Sequence, residues 1–319
     1  MRLRILCLDG GSRGLLVCEL LRRLEQERPG LLDSIDVLAG TSSGSAIAAV
    51  LATAGKISSG LQPATSMFEV WNPFEGSSPL DARFRGAIAG QNALLTHGPL
   101  YRQLARLLGE TRVAEARRKI IIPTVLLDNH ASLPRYRRWT VETYHNLGQE
   151  MAVHHIRLLD VVMRSCAVPI LYPAFQGHVD GGVFANNPSL DALVTAQDFL
   201  DTPQEDILVL SIGQGISTHK MELASGDIGY GHWLLNPQLP GALIRLVLTA
   251  NEQATTYYCS RLLRDRFVRV DPNLGAEIEP HADKPQEVFC TEQKQAAEAA
   301  DLSVTLEHLD GINWFGEQD

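Results

Sequence analysis

Short runs of Ile, Leu and Val alternate along this chain with stretches whose apolar residues recur every three or four positions. "LRILCLDG" predicts a strand. The following "LLVCELLRRLEQE" places Leu16, Leu20, Leu21 and Leu24 on one side and charges on the other, the signature of an amphipathic helix. "SIDVLAG" predicts the next strand, and "SAIAAVLATAG", almost without charge, a buried helix. "KIIIPTVLLDN" and "ILVLSIGQG" supply a third and a fourth strand region. Their near-continuous aliphatic content suits strands covered on both faces, as in a parallel sheet. Strand and helix in this alternation predict an α/β fold: an open, mostly parallel central sheet flanked by helices.

The pattern loosens between Lys56 and Glu110. "SSGLQPATSMFEVWNPFEGSSPLDARFRGAIAG" is rich in Gly, Pro and Ser and carries Phe68, Trp71, Phe74 and Phe84. It reads equally as a surface excursion packed by its own aromatics and as a cover, over residues 56–98, above a lipid-binding cleft. After Cys290 an acidic, Ala-rich tail (residues 291–319) ends in "LSVTLEHL", read as the last helix. No repeat or linker divides the chain, so residues 1–319 are read as a single domain.

Composition narrows the class. Hydrophobic residues make up 45% and charged residues 20%, a globular balance. Twenty-eight basic residues face 37 acidic ones, a net charge of -9, which argues against a nucleic-acid partner but leaves a membrane-surface enzyme open. "MRLRILCLDGG" has too short an apolar run for an export signal. "GALIRLVLTA", the best apolar helix, is interrupted by Arg245. The expected setting is therefore the cytoplasm, with membrane association at most. The five scattered cysteines show no metal or redox spacing and read as reduced, buried thiols.

Three stretches carry chemistry. Gly40-Thr41-Ser42-Ser43-Gly44 fits G-x-S-x-G between a strand and a buried helix, the setting of a nucleophile elbow. There the helix start aims free N–H groups at the serine oxygen. The competing reading makes Ser42 or Ser43 an ordinary helix cap. "DGGSRG", from Asp9, is a Gly-rich turn between the first strand and the first helix. "QGHVDGGVFANNPSL" sets Asp180 before Gly181 and Gly182, either as turn chemistry or as a carboxylate on a tight loop.

Taken together the three stretches resemble the patatin-like phospholipase family. Its pattern is D-G-G-G-x-R-G, then G-x-S-x-G, then D-G-G or D-G-A. "RSCAVPILYPAF", "DGGVFANNP", "ILVLSIGQG" and "FVRVDPNL" are also similar to family segments and stand in family order. The resemblance implies a three-layer sandwich and a lipid acyl hydrolase acting on glycerophospholipids. It implies a dyad in which Ser42 attacks the ester carbonyl and Asp180 serves as base, supported by Gly40, Gly44, Gly181 and Gly182. It places the oxyanion hole at Gly10, Gly11, Ser12 and Arg13. Arg13 could meet a lipid phosphate, but pinning the loop to backbone carbonyls is the favoured reading. Asp9 is read as structural, bonding N–H groups at the strand end. No cofactor or metal is expected, and the partners are a lipid ester and a membrane surface. A cytoplasmic lipase needs restraint, which a small-molecule activator, a homo-oligomer or a closed cover could supply.

Three other classes compete. A Ser-His-Asp hydrolase would draw on His219, His232 or His281, with His178 read as a loop histidine. A dinucleotide site would need G-x-G-x-x-G spacing, which "DGGSRG" lacks. A silent relative would keep the scaffold without activity. The first loop keeps that last class in play. It is one residue shorter than the family pattern and puts Ser12 where glycine is expected, and serine tolerates positive φ badly. If the oxyanion hole is imperfect, lengthening the loop by one glycine should raise turnover. Unchanged or lower turnover would mark a complete site.

Overall fold

The computed structural model describes residues 2–75, 92–148, 155–217, 226–234, 241–275 and 278–315. Its centre is a seven-stranded sheet. The strands are β1 (Leu3–Leu8), β2 (Val37–Gly40), β3 (Lys119–Leu126), β4 (Thr140–His145), β5 (His178–Asp180), β6 (Ile207–Ile212) and β7 (Phe267–Val270). Their order is β4-β3-β2-β1-β6-β7, with β5 also on β3. β3, β2, β1, β6 and β7 run parallel, while β4 and β5 lie antiparallel to β3.

The helices are α1 (Gly14–Glu27), α2 (Ser43–Thr53), α3 (Ile57–Val70), α4 (Gly98–Leu108), α5 (Leu158–Ser165), α6 (Gly182–Ala185), α7 (Ser189–Leu200), α8 (Tyr230–Leu234), α9 (Ala242–Leu263), α10 (Gln286–Ala299) and α11 (Ser303–Gly311). Successive strand residues point to opposite faces, and each face has its own core. Leu6, Leu8, Leu38, Ile120, Leu208 and Leu210 pack with α1, α2, α3, α5 and α10. Ile5, Cys7, Val37, Ala39, Ile121 and Val209 pack with α7 and α9. The unbroken aliphatic runs are thus explained: the sheet is the middle of three layers.

Register fixes where chemistry can occur. Leu8 pairs with Gly40 on one side and with Ile212 on the other, so β1, β2 and β6 end at one edge. The chain steps from β1 to β2 and returns on β1's other flank as β6, which makes this edge a topological switch point. Loops converge there in open α/β sheets.

One expectation is corrected. The Gly-, Pro- and Ser-rich stretch begins as α3, whose Ile57, Leu61, Ala64, Met67 and Phe68 are buried at helical spacing. Burial of that stripe holds the helix even with Pro63 inside it. Residues 57–70 are therefore core, neither excursion nor cover. Phe84 and the rest of residues 76–91 lie outside the described residues. The tail is also built in: α10 packs on α1, Trp314 is fully buried, and Arg4 Nε donates to Trp314 O at 2.6 Å. All five cysteines are free and buried.

Candidate functional site

The turn from β2 into α2 is a strained elbow. Ser42 sits at φ 52°, ψ -124°, a conformation that costs a side-chain-bearing residue about 1–3 kcal/mol. It stands at the N-cap position, yet its side chain makes no capping bond, so the helix-cap reading of Ser42 fails. Its backbone N–H donates to Ser165 Oγ at 3.0 Å, and Ser165 Oγ donates to Pro123 O at 2.8 Å. Thr41 Oγ1 donates to Ala185 O at 2.6 Å. The flanking glycines are steric necessities. A Cβ on Gly40 would lie 2.3 Å from Gly44 O, and one on Gly44 would lie 2.2 Å from Leu8 O.

Asp180 ends β5 and so belongs to the sheet rather than to a free loop. It pairs with Thr124 of β3 and its N–H donates to Ala167 O. Its carboxyl is buried, and burial pushes its pKa up to about 7. Two neighbours pull the other way: the Ser42 hydroxyl, and the Gly182 N–H, which donates to Oδ1 at 2.6 Å. The second oxygen, Oδ2, is buried without a fully formed hydrogen bond. A loosely made serine–carboxylate contact is usual for a resting site that tightens on substrate. Gly181 is forced by space, because a Cβ there would lie 2.1 Å from Pro123 O.

The third element is the loop after β1. Gly10 lies against the elbow, since a Cβ on it would come 3.0 Å from Ser42 Cβ. Its N–H is spent on Asn186 O (3.0 Å), and the Arg13 N–H on Gln214 Oε1 (2.7 Å). Among the described residues the N–H groups of Gly11 and Ser12 have no such acceptor. Ser12 is absent from the positive-φ residues, so the expected strain at this serine does not arise. Its hydroxyl donates to Glu279 Oε2 at 2.8 Å.

Arg13 is a pin. Nε donates to Gln214 O (2.5 Å), Nη2 to Gly215 O (2.9 Å), and Nη1 to Ile278 O (3.2 Å) and Glu279 Oε1 (2.8 Å). Asp9 is buried at the strand end, and its Oδ2 accepts from an N–H of the Arg269 guanidinium, with Nη2 at 2.6 Å. Burial raises its carboxyl to about 8 against the pull of Arg269. The same Nη2 reaches Glu252 and Asp271 at 3.0 and 2.8 Å.

The family model for Patatin-like phospholipase matches residues 6–193, more than half of the chain and all three of these elements. The chain belongs to the patatin-like phospholipase family. CotR of Bacillus subtilis is 27% identical over 295 residues, 85% of this chain and 87% of CotR. Protein teg of Priestia megaterium is 26% identical, covering 85% and 88%. Patatin-like protein 1 of Oryza sativa subsp. indica is 29% identical, covering 67% and 59%. Among solved structures, VipD from Legionella pneumophila aligns over 97% of this chain and 67% of its own, with 13% identity and a TM-score of 0.46. Membership of the patatin-like phospholipases makes the protein a lipid hydrolase in class.

Several residues of this patatin-like site escaped sequence reading. Gln214 is buried and bonds three ways: Oε1 holds the Arg13 N–H, while Nε2 reaches Asp9 O at 3.0 Å and Ser43 Oγ at 3.2 Å. It ties the first loop to the start of α2. Asn186 and Ser165 do similar work through backbone bonds. Their signal was their place inside family-like segments, with no spacing of their own to reveal them. His178 is on β5, not a loop, and its ring nitrogens face Tyr144 and Glu142 (each 3.0 Å) and Gln176 O (2.8 Å). His232 and His281 are exposed, and His219 lies outside the described residues. Among the described residues no group of three His, Cys, Asp or Glu could hold a metal, and no helix is long and apolar enough to cross a membrane.

Proposed function

We propose that the protein hydrolyses the carboxylic esters of glycerophospholipids through a Ser42–Asp180 dyad and an acyl-enzyme. One observation carries the reading: the hydroxyl of a strained serine meets a buried carboxyl whose pKa is raised to about 7. An ordinary carboxylate is a poor acceptor for a serine proton. A carboxyl near 7 is a better base and is still about half ionised at neutral pH.

Ser42 Oγ attacks the ester carbonyl as its proton passes to Asp180. The charge that develops on the carbonyl oxygen is met by the N–H groups of Gly11 and Ser12, a narrower set than Gly10 through Arg13. Collapse expels the lysolipid alcohol, which takes the proton back from Asp180. Water then attacks the acyl-enzyme with Asp180 as base, releasing the fatty acid and restoring the serine. Asp180 is donor or acceptor in every proton transfer, so EDTA should leave turnover intact. Five free, buried thiols fit a cytoplasmic setting.

The test pairs a serine-directed fluorophosphonate with hydrolysis of defined phospholipid vesicles, products identified by mass. Wild-type protein should label and turn over, and Ser42→Ala should do neither while remaining folded. A Ser42→Ala protein that still hydrolyses, or a histidine replacement that abolishes turnover in a folded protein, would overturn the dyad.

A further inference from the structure

We propose that the hairpin tip between β3 and β4 is the surface by which this protein docks on an anionic lipid bilayer. This inference rests on the reading that the substrate is a membrane lipid.

Position comes first. Ile121 pairs with Ala39, next to the end of β2, and β3 continues five residues further to Leu126. The first of these five is level with Gly40, so at about 3.3 Å per residue β3 overshoots the nucleophile edge by roughly 13 Å. The tip, residues 127–139, therefore stands on the edge that carries Ser42. It follows directly on the segment of β3 that pairs with Asp180.

Chemistry comes second. The tip reads "LDNHASLPRYRRW", and its single acid, Asp128, faces Arg135, Arg137 and Arg138. Only Arg137 pairs with Asp128, and among the described residues Arg135 and Arg138 meet no carboxylate. Trp139 is 76% and Tyr136 51% exposed, with Leu133 and Val141 also exposed beside them. The Arg135 guanidinium lies 5.0 Å over the Tyr136 ring. Scattered apolar residues on a surface need no explanation, but an apolar cluster interleaved with cations marks an interaction site. Trp and Tyr favour the headgroup level of a bilayer, and arginine is drawn to anionic lipids.

Rigidity and charge favour the same occupant. The tip holds its own shape: Asn129 N–H donates to Arg138 O, Arg138 N–H to Asn129 Oδ1, and Asn129 Nδ2 to Tyr136 O, each at 3.1 Å. None of residues 134–136 is buried, so the body of the protein does not need these side chains for packing. The chain as a whole carries -9 and is repelled by an anionic surface. A basic, aromatic tip on an acidic protein can approach in one orientation, which turns the catalytic edge toward the lipid.

The experiment uses full-length Ser42→Ala protein, which binds without hydrolysing, and vesicles of equimolar phosphatidylcholine and phosphatidylglycerol. The protein should float with these vesicles and not with pure phosphatidylcholine. Replacing Arg135 and Arg138 by Gln should weaken binding by roughly 30-fold, about 5-fold per arginine. Tryptophan emission should shift to the blue on binding, and Trp139→Phe should lose that shift. With Ser42 intact, the same tip variants should hydrolyse a soluble short-chain ester at the wild-type rate. Wild-type vesicle affinity in the arginine variant, an unmoved Trp139 signal on bound protein, or equal binding to neutral vesicles would overturn the docking surface. If soluble ester is cleaved but no vesicle binds, the docking fails and the dyad stands. If the tip binds vesicles and no ester is cleaved, docking stands and the dyad fails.

Discussion

Two loops meet at the site, both turns from a parallel strand into a helix, and they are held in opposite ways. The elbow at residues 40–44 is shaped mainly by backbone crowding, within itself and against β1. Two glycines leave no room for a Cβ, and the strained serine between them is fixed by backbone crowding. The turn at residues 9–13 is shaped by strangers. Gln214, Gly215, Ile278 and Glu279 hold Arg13, and Asn186 holds Gly10, all more than 170 positions away. The proposed nucleophile is set chiefly by close backbone packing, and the proposed oxyanion donors chiefly by hydrogen bonds from distant residues.

The contrast can be broken at several strengths. The largest effect falls on the elbow and its base. Ser42→Ala and Asp180→Asn should each lower kcat on phospholipid by about 10⁴-fold or more, with circular dichroism unchanged. Gly44→Ala should instead fail at folding and yield little soluble protein, because its Cβ meets a β1 carbonyl that cannot move. The remote loop should respond more softly. Gln214→Ala should cut kcat by roughly 10–100-fold with KM little changed, as a loosened donor acts mainly in the transition state. An inserted glycine between Gly11 and Ser12 should lower turnover, because it breaks the register of Ser12 on Glu279 and Arg13 on Gln214. Higher turnover would show the donors to be poorly placed.

Proton linkage gives a finer test of the same dyad. Asp180 must be ionised to act, so kcat/KM should climb with unit slope on a logarithmic scale up to about pH 7 and then level. Stability runs the other way. The folded carboxyl binds its proton up to about pH 7 while the unfolded one loses it near 3.8, so between these values rising pH costs stability. Asp180→Asn removes that cost. In urea unfolding it should gain about 2–4 kcal/mol over the wild type at pH 8 and much less at pH 5. An equal difference at both pH values would place the Asp180 pKa at its ordinary value.

Local patterning made the inner sheet legible. β1, α1, β2, α2, β3 and β6 each announced themselves by aliphatic runs or helical stripes. β4 did not, because "TVETYH" mixes polar and aromatic residues on an edge. β5 is three residues long and looked like a turn. α3 was hidden by glycine, serine and Pro63, whose weak helix preference is overridden by packing on α1 and α2. At the site, Ser42, Asp180 and the elbow glycines were readable because they sit in short contiguous motifs, although Leu8, Ser165 and Thr124 help to hold them. Gln214, Asn186 and the partners of Arg13 were not, because a contact spanning some 200 positions leaves no spacing to notice.

The remote bonding of the first loop also sets an order of events during synthesis. Ser42 and its elbow leave the ribosome before Asp180. Gln214 and then Glu279, which fasten the oxyanion donors, follow much later. A growing chain therefore carries its nucleophile long before it carries a complete site. A lipid-cleaving activity is in effect locked by chain order, because the key follows the serine by more than 170 residues.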